Sequence, residues 1–472
     1  MSNRKNKPVI ELEIESIGFE GVAVAKLEGK VHFVKGAIPG DLVKVQIKKN
    51  KKSYVECHLL EVITPSEKRI TARCEHFGTC GGCSWQNLGY ADQLYWKKTH
   101  VIDALKRLGK IEDVIVHNVM PSAQEFNYRN KMDFSFSASR WLSEDEIKAE
   151  TDIEDKTFAF GLHIPGRYDK VLNINTCHIQ SEFGNRLIKS TRNLTTKFAL
   201  DCYNTHTHEG FLRSLIVRNS IKKNENMAIL VTNKITNDSQ IEFIREFTAA
   251  AKADGATSIF HAINWTVNPV QVNEITLLDG ADHIMDEILG INYKISPFSF
   301  FQTNSTQLDS FISHILDYAD LQKQDIVWDL YCGTGSITLP ASRKVDSIYG
   351  IELNEGSIED AKSNATLNNI GNTNFFAANL HDKNIPVLLT TLPKPNKIIV
   401  DPPRAGMAEN LIRHLLELEA EHIVYVSCNP ATQARDLQLL SEKYRTIEVQ
   451  PVDMFPHTFH IESIAKLELI KA

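Results

Sequence analysis

The sequence predicts an α/β protein: a Rossmann-like parallel sheet in the C-terminal part, an OB-like β-barrel at the N-terminus, and an α+β region between them. Three observations predict it. After residue 291, strand-like and helix-like segments alternate, the pattern of a parallel sheet with crossover helices. Before residue 70, only short alternating runs occur, separated by glycine turns. Between the two, a cysteine cluster opens a stretch of mixed character. The expected division is therefore 1–70, 74–290 and 291–472, with the helical stretch 93–124 packing onto the C-terminal domain.

At 472 residues, 42% hydrophobic and 24% charged, the chain can fill two or three cores and is not a disordered polymer. The basic start MSNRKNKPVI lacks the apolar segment of a signal peptide, and no run of about 18 apolar residues could span a bilayer. A cytoplasmic location without a membrane partner is the expectation; the chain is taken as a monomer. The net charge of −7 argues against a polyanion partner for the molecule as a whole. Yet residues 1–52 hold 11 Lys and Arg against 6 Asp and Glu, five of the lysines lying between Lys44 and Lys52. A local basic face can bind phosphates while the molecule stays acidic, although a lysine run alone reads as a solvated loop.

The N-terminal runs V9-I10-E11-L12-E13-I14, V22-A23-V24-A25, V31-H32-F33-V34, L42-V43-K44-V45-Q46-I47 and 54–62 read as five strands. Turns at G18-F19-E20-G21, E28-G29-K30 and I38-P39-G40-D41 separate them. In the middle region, C74-x5-C80-x2-C83 is followed by an amphipathic helix over 93–108, then strands at 131–136, 158–163 and 212–218. A polar insert at 143–156 reads as a loop or surface helix. The C-terminal strands are 326–330, 347–352, 397–401 and 422–427, with a helix near 356–368. Sites in such sheets lie at the C-terminal ends of the strands.

Those ends carry the chemistry. Asp329 opens the loop Y331-C332-G333-T334-G335, and Glu352 lies 23 residues further on, at the end of the next strand. An acid there can accept hydrogen bonds from ribose hydroxyls. Asn379 is placed to meet an adenine edge, and Asp401 closes the next strand over the same crevice. No lysine follows the glycines, so this is not a phosphate-binding P-loop. An adenosine ligand without phosphates fits, which points to S-adenosylmethionine. Taken singly, these acids also read as turns and caps.

The fourth strand ends in S427-C428-N429-P430, with Asn429 suited to cap a helix and Pro430 to start it. A thiol there is either a buried filler or a nucleophile, since a helix N-terminus favours thiolate. The donor loop on the same sheet edge favours the nucleophile.

Together D-L-Y-C-G-T-G-S (329–336), D-P-P-R (401–404), V-S-C-N-P-A-T (426–432) and S-F-F-Q-T-N (299–304) resemble the RNA uracil-5-methyltransferases, most closely their bacterial 23S ribosomal RNA branch. The likeness runs nearly end to end. It implies a TRAM domain, an OB-like RNA-binding barrel, over 8–64. It implies that Gln302, Tyr331, Glu352, Asn379 and Asp401 contact S-adenosylmethionine, and that Glu462, in F459-H460-I461-E462-S463, is a catalytic base. It also implies an iron–sulfur site at Cys74, Cys80, Cys83 and Cys177.

The chemistry explains the residue types. Uracil C5 is a weak nucleophile until a thiolate adds to C6 and makes the adduct an enolate. Cys428 would supply the thiolate and Glu462 would remove the C5 proton, while Asp401 would hydrogen-bond the uracil beside the donor. The base must leave the RNA stack to lie between them.

Four thiolates suit zinc or a [4Fe–4S] cluster, and spacing alone does not choose; the resemblance favours iron–sulfur. The first gap of five, with Cys177 closing the set, differs from the C-x3-C-x2-C of radical enzymes, so a structural or RNA-orienting cluster is expected. Cys57, Cys202 and Cys332 have no assignable role. Arg129, Lys131, Arg213 and Arg218 are candidates for RNA backbone contacts.

Three alternatives stand beside this reading. An amino-adenine methyltransferase usually has an aromatic residue after D/N-P-P, where this chain has Arg404, and has no use for Cys428. A non-catalytic RNA-binding or assembly factor would not need an intact Cys428, Glu462 and donor loop. Transfer RNA is the rival substrate; that branch generally lacks the barrel and the cysteine cluster.

Overall fold

The computed structural model describes residues 7–143, 146–147 and 156–471, so most of the insert expected at 143–156 lies outside the described residues. The N-terminal strands Val9–Glu13, Ser16–Ile17, Ala23–Leu27, Lys30–Val34, Leu42–Asn50 and Tyr54–Thr64 form one six-stranded sheet. Alternation along each strand sends Leu12, Val34, Val43, Val45 and Val55 into a common core. The strand not anticipated, Ser16–Ile17, is too short for its alternation to register in the sequence. Buried Asp41 fastens the turn before Leu42–Asn50: its carboxylate accepts from Ile38 N at 2.8 Å and Ser66 N at 2.9 Å, and pairs with Arg69.

The central sheet has seven strands, in the order Arg167–Asn173, Ala159–Ile164, Lys131–Ser137, Leu212–Ser220, Glu225–Thr232, Ser258–Ile263 and Glu274–Gly280. Its neighbours are antiparallel except Glu225–Thr232 and Ser258–Ile263. Helices Glu182–Phe198 and Asp238–Asp254 cover it, burying Phe183, Leu187, Phe243 and Phe247 against Phe134, Phe160 and Leu215. Both helices start at a side-chain cap, Ser181 and Asn237.

The C-terminal sheet has eight strands. Thr373–Ala377, Ser347–Glu352, Ile326–Leu330, Lys397–Val400 and His422–Ser427 run parallel in that order. Glu462–Leu469 follows antiparallel to His422–Ser427, and Tyr444–Val452 antiparallel to Glu462–Leu469. The eighth strand, Ile115–Val116, comes from far upstream and pairs parallel with Tyr444–Val452. Helix Tyr90–Arg107 joins the same unit: Val101 and Leu105 share a core with Ala434, Leu437 and Val449. The helical stretch expected to reach 124 stops at Arg107 instead. Lys110 takes a left-handed φ of +54° and the chain then turns into the edge strand. Among the described residues, no helix is long and apolar enough to cross a membrane.

Candidate active site

Four consecutive strands of the parallel sheet end on one edge, and each end carries a polar residue. Asp329 lies in the strand Ile326–Leu330, fully buried. One of its oxygens accepts from Thr338 Oγ1, while Oδ1 has no partner. Burial, opposed by the Thr338 bonds, pushes this carboxyl up to about 7. The chain then turns: Tyr331 adopts a left-handed φ of +67°, Gly333 +53° and Gly335 +84°. A Cβ added at Gly333 would meet nothing within 4 Å, so the loop borders open space there.

Glu352 ends the neighbouring strand, and its carboxylate is oriented by Gly333 N at 3.3 Å and Asn354 N at 2.9 Å. It therefore leans over the glycine loop with lone pairs to spare. Tyr331 Oη lies 3.3 Å from His381 Nε2. Exposed Asn379 accepts from His381 N at 2.9 Å, ordering the turn after Thr373–Ala377. Gln302 is anchored through its main chain, its carbonyl accepting from Asn130 Nδ2 at 2.8 Å. A buried acid with one unpartnered oxygen, a second acid held at the loop and an open glycine cradle fit a cationic adenosine-type donor.

Asp401 follows Lys397–Val400, its N–H bonded to Leu330 O at 3.2 Å. Burial, then the charge of Asp329, raises its carboxyl to about 7. Cys428 follows His422–Ser427 and is partly exposed; Glu462 opens the antiparallel strand beside it and is 6% exposed. Ser427 pairs with Ser463 as the last pair of the ladder, and Cys428 and Glu462 each lie one residue beyond it, close enough that the charge of Glu462 acts on the thiol.

The corner behind the thiol is built as its sequence suggests. Asn429 caps helix Pro430–Leu440, accepting from Ala431 N at 3.1 Å. The expected preference for thiolate does not follow. Burial, with the charges of Glu462 and Asp401, pushes the Cys428 thiol up to about 11, and Arg404 alone opposes them. Glu462 is itself raised well above the ordinary carboxylate range by burial and then by Asp401. In the free site the proton is therefore favoured on Cys428 and on Glu462.

From the sequence, Arg404 counts only against an amino-adenine enzyme and His460 has no assigned role. Arg404 is exposed, lies three residues beyond Asp401, and reaches to 3.5 Å from His460 Nδ1. Its carbonyl ties the loop to the Cys428 corner, accepting from Asn429 Nδ2 at 3.1 Å and Thr432 Oγ1 at 3.2 Å. A cation in a loop that also carries Asp401 was the available signal.

Two expected RNA contacts are corrected. Arg213 is buried, donating to Asn233 Oδ1 and Asn264 O, with its guanidinium 4.0 Å from the Tyr203 ring centroid. Arg218 is 3% exposed and donates to the carbonyls of Ser296, Pro297 and Ser299. Both guanidiniums are consumed inside the protein, so neither reaches a backbone phosphate. Half-buried Arg129 donates to Lys131 O, and Lys131 lies 3.7 Å from Asp133.

Cys74, Cys80, Cys83 and Cys177 all carry free, partly buried thiols. They are near enough that the charges of Cys177, Cys80 and Cys74 each raise Cys83. Gln86 Oε1 accepts from Cys74 N at 3.0 Å, and Asn185 Oδ1 from Cys177 N at 2.9 Å. Among the described residues, no three His, Cys, Asp or Glu side chains converge as a metal-ligand group. The donor set is that of a tetrathiolate site; its geometry is not drawn together.

Comparison with known proteins bears on all of this. Residues 283–469 match the profile of the tRNA (uracil-5-)-methyltransferases, and residues 4–60 match the TRAM domain. An uncharacterized RNA methyltransferase of Bacteroides thetaiotaomicron is 40% identical, over 95% of this chain and 99% of its own. Another, of Chlorobaculum tepidum, is 37% identical over 98% and 96%. Among solved structures, the Pyrococcus abyssi tRNA (uracil-54, C5)-methyltransferase in complex with S-adenosyl-L-homocysteine superposes with a TM-score of 0.74 at 26% identity. That match covers 97% of this chain and all of the archaeal one.

Proposed function

Because the chain belongs to the S-adenosylmethionine-dependent RNA (uracil-5-)-methyltransferase family, we propose that it methylates C5 of a uridine in 23S ribosomal RNA. The observation that carries the chemistry is the closeness of Cys428 to Glu462 and Asp401, where the charges of both acids act on the thiol. Cys428 Sγ, as thiolate, adds to uracil C6, and the ring electrons move to the C4 oxygen. Bound S-adenosylmethionine supplies an electrophilic methyl group, which C5 of the adduct accepts. Glu462 then removes the C5 proton, and the electrons left behind re-form the C5–C6 bond and expel Cys428 Sγ. Arg404 opposes the rise of the thiol and is the cation placed to favour thiolate; Asp401 hydrogen-bonds the uracil edge.

On the donor side, Glu352 holds the ribose hydroxyls, Asn379 and Tyr331 border the adenine, and Gln302 contacts the amino-acid end. Asp329 Oδ1, unpartnered and buried, offers its charge to a cation. Cys74, Cys80, Cys83 and Cys177 bind a [4Fe–4S] cluster, with zinc the alternative; four thiol donors and the family resemblance support this. Iron and acid-labile sulfide in anaerobically purified protein are expected; stoichiometric zinc without iron would overturn it.

The barrel and the four cysteines support ribosomal RNA as substrate. Transfer RNA is favoured by two observations: the family profile matched over residues 283–469 is named for a transfer RNA enzyme, and the archaeal neighbour, named for a transfer RNA, aligns over nearly the whole chain. One experiment decides. Protein and donor are incubated with 23S and transfer RNA transcripts, and 5-methyluridine is mapped by mass spectrometry. Product confined to transfer RNA would replace the ribosomal reading, and methyl transfer to neither would remove the uridine assignment. The reading includes a cytoplasmic, monomeric enzyme.

A further inference from the structure

Eight residues separate Asp453 from Glu462, and of these Met454 and Ile461 pack into the cores beside the C-terminal sheet. The polar side-chain ties of the segment run to Tyr128 and Asn304 and, most of them, to helix Tyr90–Arg107, some 360 residues upstream. Tyr90, Gln93 and Lys97 follow helical spacing and share one face. Lys97 Nζ donates to Asp453 Oδ1 at 2.5 Å and to Phe455 O at 3.0 Å, and both charged side chains are 0% exposed. Tyr90 Oη donates to the other Asp453 oxygen at 2.9 Å. Gln93, also fully buried, accepts from His457 N at 2.9 Å and donates to Trp85 O and Leu88 O. His457 sits at a left-handed φ of +65°, its carbonyl accepting from Ser84 N at 2.8 Å and Trp85 N at 3.0 Å.

A buried ion pair is a poor way to gain stability, because desolvating both charges offsets their attraction; its geometric effect is to fix two groups relative to each other. The helix that supplies Lys97 also packs, through Val101 and Leu105, on the helix behind Cys428. One rigid element therefore braces both sides of the reacting centre: the corner holding the thiol and the segment leading into the carboxylate. The barrel reaches the same segment. A Cβ on Gly21 would lie 3.0 Å from Phe459 Cβ, and Trp85 Nε1 donates to Gly21 O at 3.3 Å.

We propose that residues 453–461 are a joint through which Tyr90, Gln93 and Lys97 set the position of Glu462, making these three buried side chains positioning residues for proton removal from C5. The inference rests on Glu462 being the base. None of the three touches the donor or the uracil. Loosening the joint should leave addition of Cys428 and methyl transfer intact while slowing release of the methylated RNA.

The test uses full-length protein with donor and ordinary uridine RNA, comparing wild type, Gln93→Met, Tyr90→Phe and Glu462→Gln. Tyr90→Phe removes one hydroxyl and keeps the ring, so it reports even if Gln93→Met fails to fold. Turnover should fall about threefold to tenfold in Tyr90→Phe, the scale of one ordinary lost hydrogen bond, and further in Gln93→Met. KM for RNA should stay unchanged, and a covalent protein–RNA species should accumulate on denaturing gels, as in Glu462→Gln. Turnover in Tyr90→Phe equal to wild type, or a fall in adduct formation matching the fall in turnover, refutes the joint. If Glu462→Gln accumulates adduct while Tyr90→Phe does not, the base assignment stands and the joint alone is lost. If Glu462→Gln turns over normally, both fall.

Discussion

Cys428 and Glu462 lie where the last parallel strand meets its antiparallel neighbour, each one residue beyond the Ser427–Ser463 pair, and the charge of Glu462 acts on the Cys428 thiol. The nucleophile and base assignments make opposite demands on substitutions there. Cys428→Ala should abolish both methyl transfer and the covalent species formed with 5-fluorouracil RNA. Glu462→Gln should slow turnover by about 10²–10⁴-fold, the range for loss of a general base, and yet retain the covalent species. Fluorine cannot leave as a proton does, so wild type should also be trapped. Mass spectrometry reads all three; an adduct persisting in Cys428→Ala would sink the nucleophile assignment.

Arg404 is the cation that counters the upward push on the Cys428 thiol. Removing it should move the thiol higher still, so the reactive thiolate fraction at neutral pH must fall. In Arg404→Gln, the midpoint of iodoacetamide alkylation of Cys428 against pH should lie above that of wild type. Methyl transfer should drop about 10²-fold, the scale for a lost charge-stabilising donor. An unchanged alkylation midpoint would separate Arg404 from the thiol.

The strand ends were legible because parallel strands announce themselves as short apolar runs, and Asp329, Glu352, Asp401 and Cys428 each close or nearly close one. The barrel was legible from alternation, apart from Ser16–Ile17. Other features depend on contacts between residues far apart in sequence, which no local pattern encodes. Ile115–Val116 becomes an edge strand only because Tyr444–Val452 offers an open side. Arg213 and Arg218 looked like free cations because charge is visible in a sequence and burial is not; three main-chain carbonyls absorb Arg218. The thiol shows the same limit. Helix capping at Asn429 is readable, but the burial that raises the Cys428 thiol, and the Glu462 and Asp401 charges that add to it, come from residues far away in sequence.

Gly333 and Gly335 differ in what a methyl group would meet. At Gly333 an added Cβ enters open space in front of Glu352; at Gly335 it lies 3.2 Å from Leu339 Cγ, on the protein side. Gly333→Ala should therefore weaken donor binding by about tenfold or more, equivalent to about 1.4 kcal/mol, with only the modest stability loss of a left-handed alanine. Gly335→Ala should chiefly lower Tm. Calorimetric titration with S-adenosylhomocysteine and thermal melts on both variants check the contrast; a Gly333→Ala protein that binds like wild type would put the donor elsewhere.

Asp329 and Asp401 make the ligand-free protein's stability depend on pH in an unusual direction. Both carboxyls stand near 7 in the folded chain, raised by burial from an ordinary value of 3.8. Between those limits the folded state binds protons that the unfolded state has already lost. Stability contributed by these groups is thus fully present below about pH 4 and is lost as pH rises through about 7, on the order of 1.4 kcal/mol per pH unit for each group. Other carboxylates in the chain, such as Asp41 paired with Arg69, are lowered and act oppositely below pH 4, so the useful window is pH 5 to 8. There the melting temperature of wild type should decline as pH rises, and Asp329→Asn and Asp401→Asn should each flatten the decline. S-adenosylmethionine, a sulfonium cation, should also flatten it by holding Asp329 ionised at little cost, while uncharged adenosine should do so less. Identical slopes in wild type and both variants would mean that neither acid carries its proton into the physiological range.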